Sequence, residues 1–176
     1  MKKSNGKIYN LLIRYFILVL AAIPNLWIFY TIFTPLTSYP VYGLLNILYD
    51  ATLLNNNIIL INNAIPIELI EACIAGSAYY LLLILNLSTP NIEIKKRMKI
   101  LLIAFISFLM VNITRIFILS IIATSGSSFF DITHKIFWYT LSTIFVVAVW
   151  FIEVKLFKIK DIPFFSDIKF MYKQTR

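Results

Sequence analysis

Three side chains able to do chemistry stand out from a chain dominated by aliphatic and aromatic residues. Cys73 is the only cysteine, His134 is the only histidine, and Arg115 interrupts a long apolar run. Together, a thiol, an imidazole and a guanidinium are the parts of an acyl-transfer site. The thiol attacks a peptide carbonyl, the imidazole takes and returns the proton, and the cation stabilises the oxyanion or orients the substrate. Taken singly, each has a plainer use. A free cysteine packs as a small hydrophobe, an arginine can snorkel to a headgroup layer, and a histidine at a boundary can be merely solvated.

Around these three lie residues whose spacing places them nearby. Asn112 precedes Arg115 by three positions and so shares its helix face. Gly76 and Ser77 follow Cys73 by three and four, which on one continuous helix puts them on the thiol's face. There Gly76 would admit a substrate backbone and Ser77 would offer a hydrogen bond; packing by small residues is the alternative. Glu68 lies at the mouth, where it could meet a basic or amine-bearing substrate. Glu71, two positions from Cys73, points to nearly the opposite face. A charge within a span costs about 2.5–3.5 kcal/mol on insertion scales, so Arg115 is expected to face the interior.

The elements that must position these groups follow from composition. The chain has 176 residues, 60% of them hydrophobic, and a mean hydropathy of +0.85. This exceeds what an ordinary soluble domain carries. The net charge of +8 could suggest nucleic acid, but the placement of the charges excludes it. Apolar stretches at 8–33, 67–87, 100–123 and 132–152 are each long enough to cross a hydrocarbon core, which needs about 20 residues. The reading is an all-α integral membrane four-helix bundle forming one domain over 1–176. The first stretch, lacking a small-residue cleavage site, reads as a retained anchor kinked at Pro24. Pro66 is expected to open the second span, and Asp131 to cap the fourth.

Between the first two spans, 34–66 is broken by Pro35, Pro40, Gly43 and runs of Asn and reads as an external loop. Within it, 41–49 suggests a short interfacial helix, and 58–61 with 65–67 look like strands around an Asn turn. The tail, 153–176, mixes Lys with Phe164, Phe165, Phe170 and Tyr172, which suits a segment resting on anionic lipid. A solvated terminus is the alternative. Fourteen of the sixteen Lys and Arg residues fall in the N-terminus, a loop at 95–99 and the tail, leaving Arg115 and Lys135. By the positive-inside rule both termini are cytoplasmic, and Cys73, Arg115 and His134 share the outer layer of three different spans.

The sequence Glu71-Ala72-Cys73-Ile74-Ala75-Gly76-Ser77, then Asn112-Ile113-Thr114-Arg115, then His134 after an external turn, resembles the exosortase/archaeosortase family of membrane cysteine transpeptidases. The resemblance covers about residues 60–140. It implies cleavage of C-terminal sorting signals on exported proteins and transfer to a lipid or other surface amine. Membrane-anchored proteins with such a tail would be the substrates, and membrane lipids the surroundings. It casts Cys73 as nucleophile, Arg115 as the essential arginine and His134 as the third member, with Asn112, Gly76, Ser77 and Glu68 toward the substrate. No cofactor, metal or nucleic acid is called for. The chain departs from the family in its shortness and in Ile74, where a small polar residue is usual. The competing reading is a non-catalytic membrane scaffold or assembly subunit whose Arg115 pairs with another helix; a transporter fits less well, since few polar residues continue below Arg115.

Overall fold

The computed structural model describes residues 2–23, 25–126, 129–137 and 142–174. The chain is mostly helical: α1 (Lys2–Ala22), α2 (Trp27–Leu48), α3 (Glu71–Ile74), α4 (Gly76–Leu87), α5 (Ile94–Thr124), α6 (Phe130–Ile136), α7 (Ser142–Leu156) and α8 (Phe165–Gln174). A small sheet of β1 (Ala51–Leu54), β2 (Ile58–Ile61) and β3 (Ile65–Glu68) lies between α2 and α3. The all-α expectation is corrected by that sheet. Among the described residues one helix, α5, is by length and composition able to cross a membrane unaided.

The first apolar stretch is two helices, α1 and α2, bent by 68°; Pro24 lies outside the described residues. The expected external loop at 34–66 is replaced over its first half by α2, which continues through Pro35 and Pro40. An interior proline removes one ladder hydrogen bond and costs about 3 kcal/mol. Burial of a stripe at every fourth residue, Phe29, Phe33, Thr37, Val41 and Leu45, opposes that cost. Both prolines lie off the stripe.

The second half of the expected loop is the sheet, an antiparallel meander in the order β1-β2-β3. The strands foreseen at 58–61 and 65–67 are present, and β1 is added to them. Both turns rely on asparagines with positive φ, Asn55 and Asn56 in one and Asn62 and Asn63 in the other, a region Asn tolerates better than most residues. Ile59 and Ile61 are fully buried, which fixes the register by packing one face. Pro66 does not open a helix. It lies exposed in β3, an edge strand, where a missing N–H is tolerated.

The second apolar stretch is also interrupted. Ala75 sits at φ 61° between α3 and α4, so the helix expected over 67–87 begins only at Glu71 and breaks one turn later. The basic cluster at 95–99 belongs to α5 rather than to a loop. In the fourth stretch the described residues form α6 and α7, and residues 138–141 lie outside them. Asp131 lies inside α6, whose N-cap position is Phe129, so it is not the cap. The tail forms α8, fastened to α1 by a buried ion pair between Arg14 and Asp167 at 2.8 Å.

At the centre, α4 packs against α2 and α5 through aromatic rings. Tyr79 stacks on Phe33 with centroids 3.5 Å apart and meets Phe105 and Phe108 edge-on. This cluster lies one to two turns from the break at Ala75 and holds the N-terminal end of α4 in place.

Candidate functional site

The break at Ala75 creates the site. In an unbroken helix the N–H of Ala78 would bond the carbonyl of Ile74; instead it goes to Ala75, at 2.9 Å. The left-handed residue thus turns the carbonyls of Cys73 and Ile74 out of the ladder. Buried backbone carbonyls need partners, and α5 supplies them. Asn112 Nδ2 donates to Cys73 O at 3.0 Å and to Ile74 O at 3.4 Å. Arg115 Nη2 donates to the same Cys73 oxygen at 3.0 Å. The three-residue spacing read as one helix face therefore clamps the cysteine's backbone.

Arg115 is buried and does not snorkel. Its Nη1 donates to Ser142 Oγ at 2.8 Å, and that hydroxyl donates to Phe137 O at 2.8 Å. The guanidinium thereby joins α3, α5, the end of α6 and the start of α7. Its Nε–H has no hydrogen-bond partner among the described residues. Ser142 was not singled out in the sequence. Serine is common in helical stretches, and nothing local marks it as an arginine's partner.

Beside this joint lies a cavity of about 290 Å³, lined by Cys73, Arg115, His134, Glu68, Phe130 and apolar side chains from α5. The three residues with chemistry thus share one chamber although they are far apart in the chain. Phe130 stacks on His134 with centroids 5.5 Å apart and planes 5° from parallel, which fixes the imidazole's plane. His134 lies in α6, near the start of the fourth apolar stretch; residues 138–141, which follow, lie outside the described residues. The run Ile65, Pro66, Ile67, Glu68 and Leu69 lines the cavity without a gap. Successive side chains of a strand point to opposite faces, so an unbroken run means that the cavity follows the strand's edge.

That edge is open, because β3 is the last strand. Leu69 N donates to Asn57 O at 2.7 Å, continuing the register in which Ile67 opposes Ile59 and Ile65 opposes Ile61. By alternation Glu68 turns its N–H and C=O outward. Glu68 is exposed at the mouth as expected.

Gly76 and Ser77 are placed elsewhere. Neither lines the cavity, because the turn at Ala75 rotates them off the thiol's face. A Cβ on Gly76 would lie 2.7 Å from Tyr30 Cε1, so this glycine admits a tyrosine ring from α2 and not a substrate. Ser77 is exposed. Among the described residues no group of three or more His, Cys, Asp or Glu could hold a metal ion. No family model matches the chain, and no curated protein or solved structure matches it.

Proposed function

We propose that the chain is a multi-pass membrane cysteine transpeptidase of the exosortase/archaeosortase kind, acting on C-terminal sorting tails of exported proteins. The observation that carries the reading is one cavity holding Cys73, Arg115 and His134. In it an extended substrate segment pairs with the open edge of β3, using the outward N–H and C=O of Glu68, and so runs toward Cys73. His134 accepts the thiol proton as Sγ attacks the scissile carbonyl. Electrons move onto the carbonyl oxygen, and the Arg115 cation stabilises the oxyanion. Collapse breaks the C–N bond, His134 returns its proton to the departing amine, and a thioester remains on Cys73. An acceptor amine then attacks the thioester, its proton passes to His134 and on to the sulfur, and the thiol is restored.

The membrane arrangement belongs to the same proposal. The α1–α2 pair, the α3–α4 pair, α5 and α7 are the four spans, both termini are cytoplasmic, and the cavity and sheet face outward. Two features support this. Large apolar side chains are exposed along the outside of α1, α5 and α7, among them Leu12, Phe16, Leu102, Ile106, Phe151 and Ile152, as a lipid-facing surface requires. From Arg97 to Arg115 the α5 axis rises about 27 Å, close to the roughly 30 Å hydrocarbon core.

The deciding experiment is to trap the thioester. Wild-type protein co-expressed with a tail-bearing substrate yields an adduct at Cys73 that neutral hydroxylamine releases. Cys73→Ala accumulates uncut substrate at unchanged protein level. Normal processing by Cys73→Ala ends the proposal.

A further inference from the structure

The end of the molecule opposite the sheet holds a second cavity, of about 460 Å³, between α1, the turn before α5 and α8. Its lining carries four cations, Arg14, Arg97, Lys160 and Lys169, and two carboxylates, Asp161 and Asp167. Asp167 is already bound to Arg14, at 2.8 and 3.0 Å, and Asp161 accepts from Asn91 Nδ2 at 3.2 Å. Among the described residues lining this cavity, Arg14 and Asp167 form the one ion pair. Arg97, Lys160 and Lys169 therefore line the cavity without a carboxylate at ion-pair distance. Arg97 is only 4% exposed, and its guanidinium is fixed by the carbonyls of Asn86 and Thr89. The charges nearest Arg97 are Arg14 and Asp167, which are already paired with each other, and the two lysines add positive charge that no carboxylate there matches.

Against this cavity lies an open apolar groove of about 520 Å³, formed by Leu11, Tyr15, Phe164, Ile168 and Met171. The two spaces share Leu11 and Asp167 in their walls. A cationic chamber continuous with an apolar groove matches an amphiphile that carries an anionic phosphate on an acyl chain. We infer that this end of the protein binds an anionic phospholipid, with its phosphate among Arg97, Lys160 and Lys169 and one acyl chain along the groove between α1 and α8. Arginine and lysine donors suit phosphate oxygens. The inference rests on the chain lying in a bilayer, but not on the chemistry of Cys73.

The test is native mass spectrometry of the full-length protein in detergent, titrated with phosphatidylglycerol or phosphatidylcholine. Wild type is expected to retain phosphatidylglycerol about thirtyfold better, the size that two interfacial lysines at about 1 kcal/mol each supply. Lys160→Ala with Lys169→Ala brings the two lipids within about twofold of each other. Both lysines are exposed, so folding is not at stake, and unchanged helical circular dichroism verifies this. Ile168→Lys, in the groove, weakens both lipids together. Inorganic phosphate at the lipid's concentration leaves the lipid bound. Equal retention of the two lipids by wild type, an unchanged preference in the double variant, or displacement of phosphatidylglycerol by equimolar inorganic phosphate would each overturn the assignment. Thioester formation is not measured, so failure here leaves the Cys73 proposal standing.

Discussion

Arg115 does two jobs whose separation can be measured. One is to hold Cys73 O and Ser142 Oγ; the other, proposed above, is to face the developing oxyanion. A hydrogen bond to a charged group contributes about 1.5–3 kcal/mol, so Arg115→Ala is expected to lower stability by roughly that much and to abolish the thioester. Asn112→Ala removes only the backbone clamp. It leaves Ile74 O without its donor and costs about 1–3 kcal/mol, the desolvation penalty of an unpaired buried group. Because Asn112 does not line the cavity, the residual activity of Asn112→Ala should exceed that of Arg115→Ala by at least about tenfold, with the two matched in thermal stability by choice of detergent and temperature. Equal activity in the two would mean that Arg115 only positions Cys73. The residue types were legible in the sequence: one thiol, one imidazole and one buried cation need little context to attract notice. Ser142 was not, because its role depends on how α7 packs against α5.

At the scale of elements, the site exists because α3 and α4 are not one helix. Gly76 follows the left-handed Ala75 and lies under the ring of Tyr30. Gly76→Ala would drive its Cβ to 2.7 Å from Tyr30 Cε1, closer than side chains tolerate. The expected loss is about 1–3 kcal/mol, typical of overpacking, read as a lower unfolding temperature, and Tyr30→Ala in the same chain should recover part of it. Strict additivity of the two changes would show that the ring and the glycine do not oppose one another. The sequence concealed this break, since Ala75 is an ordinary helix former and its positive φ comes from tertiary packing. A helical period puts Gly76 and Ser77 on the thiol's face, but that period is interrupted at Ala75, between Cys73 and both of them. The helix across Pro35 and Pro40 was hidden for a similar reason. Proline is a strong local stop signal, and only the buried stripe from Phe29 to Leu45 shows that packing prevails. The asparagine turns were plainer. Asn62 and Asn63 signalled the β2–β3 hairpin, and the run Asn55-Asn56-Asn57 carries the same signal for the turn between β1 and β2.

Across the whole molecule, polar side chains are sorted to two ends. Arg14, Arg97, Asp167 and the Asn86–Glu153 pair, hydrogen bonded at 3.3 Å, gather at the basic end; Arg115, Asn112, His134 and the sheet gather at the other. Hydropathy and the distribution of lysines made this polarity legible, because both are sums over many residues and survive errors in any single element. The docking of α8 was not legible, since Arg14 and Asp167 are 153 positions apart. Replacing Asp167 with Ala leaves Arg14 buried without its partner, a change that typically costs about 3–5 kcal/mol. Its effect should be confined to the basic end: limited proteolysis should cut faster between 158 and 174 while thioester formation at Cys73 persists. Slower cutting, or equal loss of both ends, would show that α8 is integral to the bundle.

The two-ended arrangement also fixes what side-specific labelling must find if the bundle crosses a bilayer. With Cys73→Ser removing the native thiol, a cysteine at Asn56, in the turn between β1 and β2, is expected to react with a membrane-impermeant maleimide in intact cells. One at Lys158, between α7 and α8, should react only after permeabilisation. The separation follows from α5. Its roughly 27 Å rise between Arg97 and Arg115 leaves no room for both residues' layers on one side of a roughly 30 Å hydrocarbon core. Placing either layer mid-membrane would bury an arginine at the bilayer centre, at about 2.5–3.5 kcal/mol or more. Labelling of both positions from one side would therefore contradict the transmembrane arrangement and remove the basis for an outward-facing Cys73.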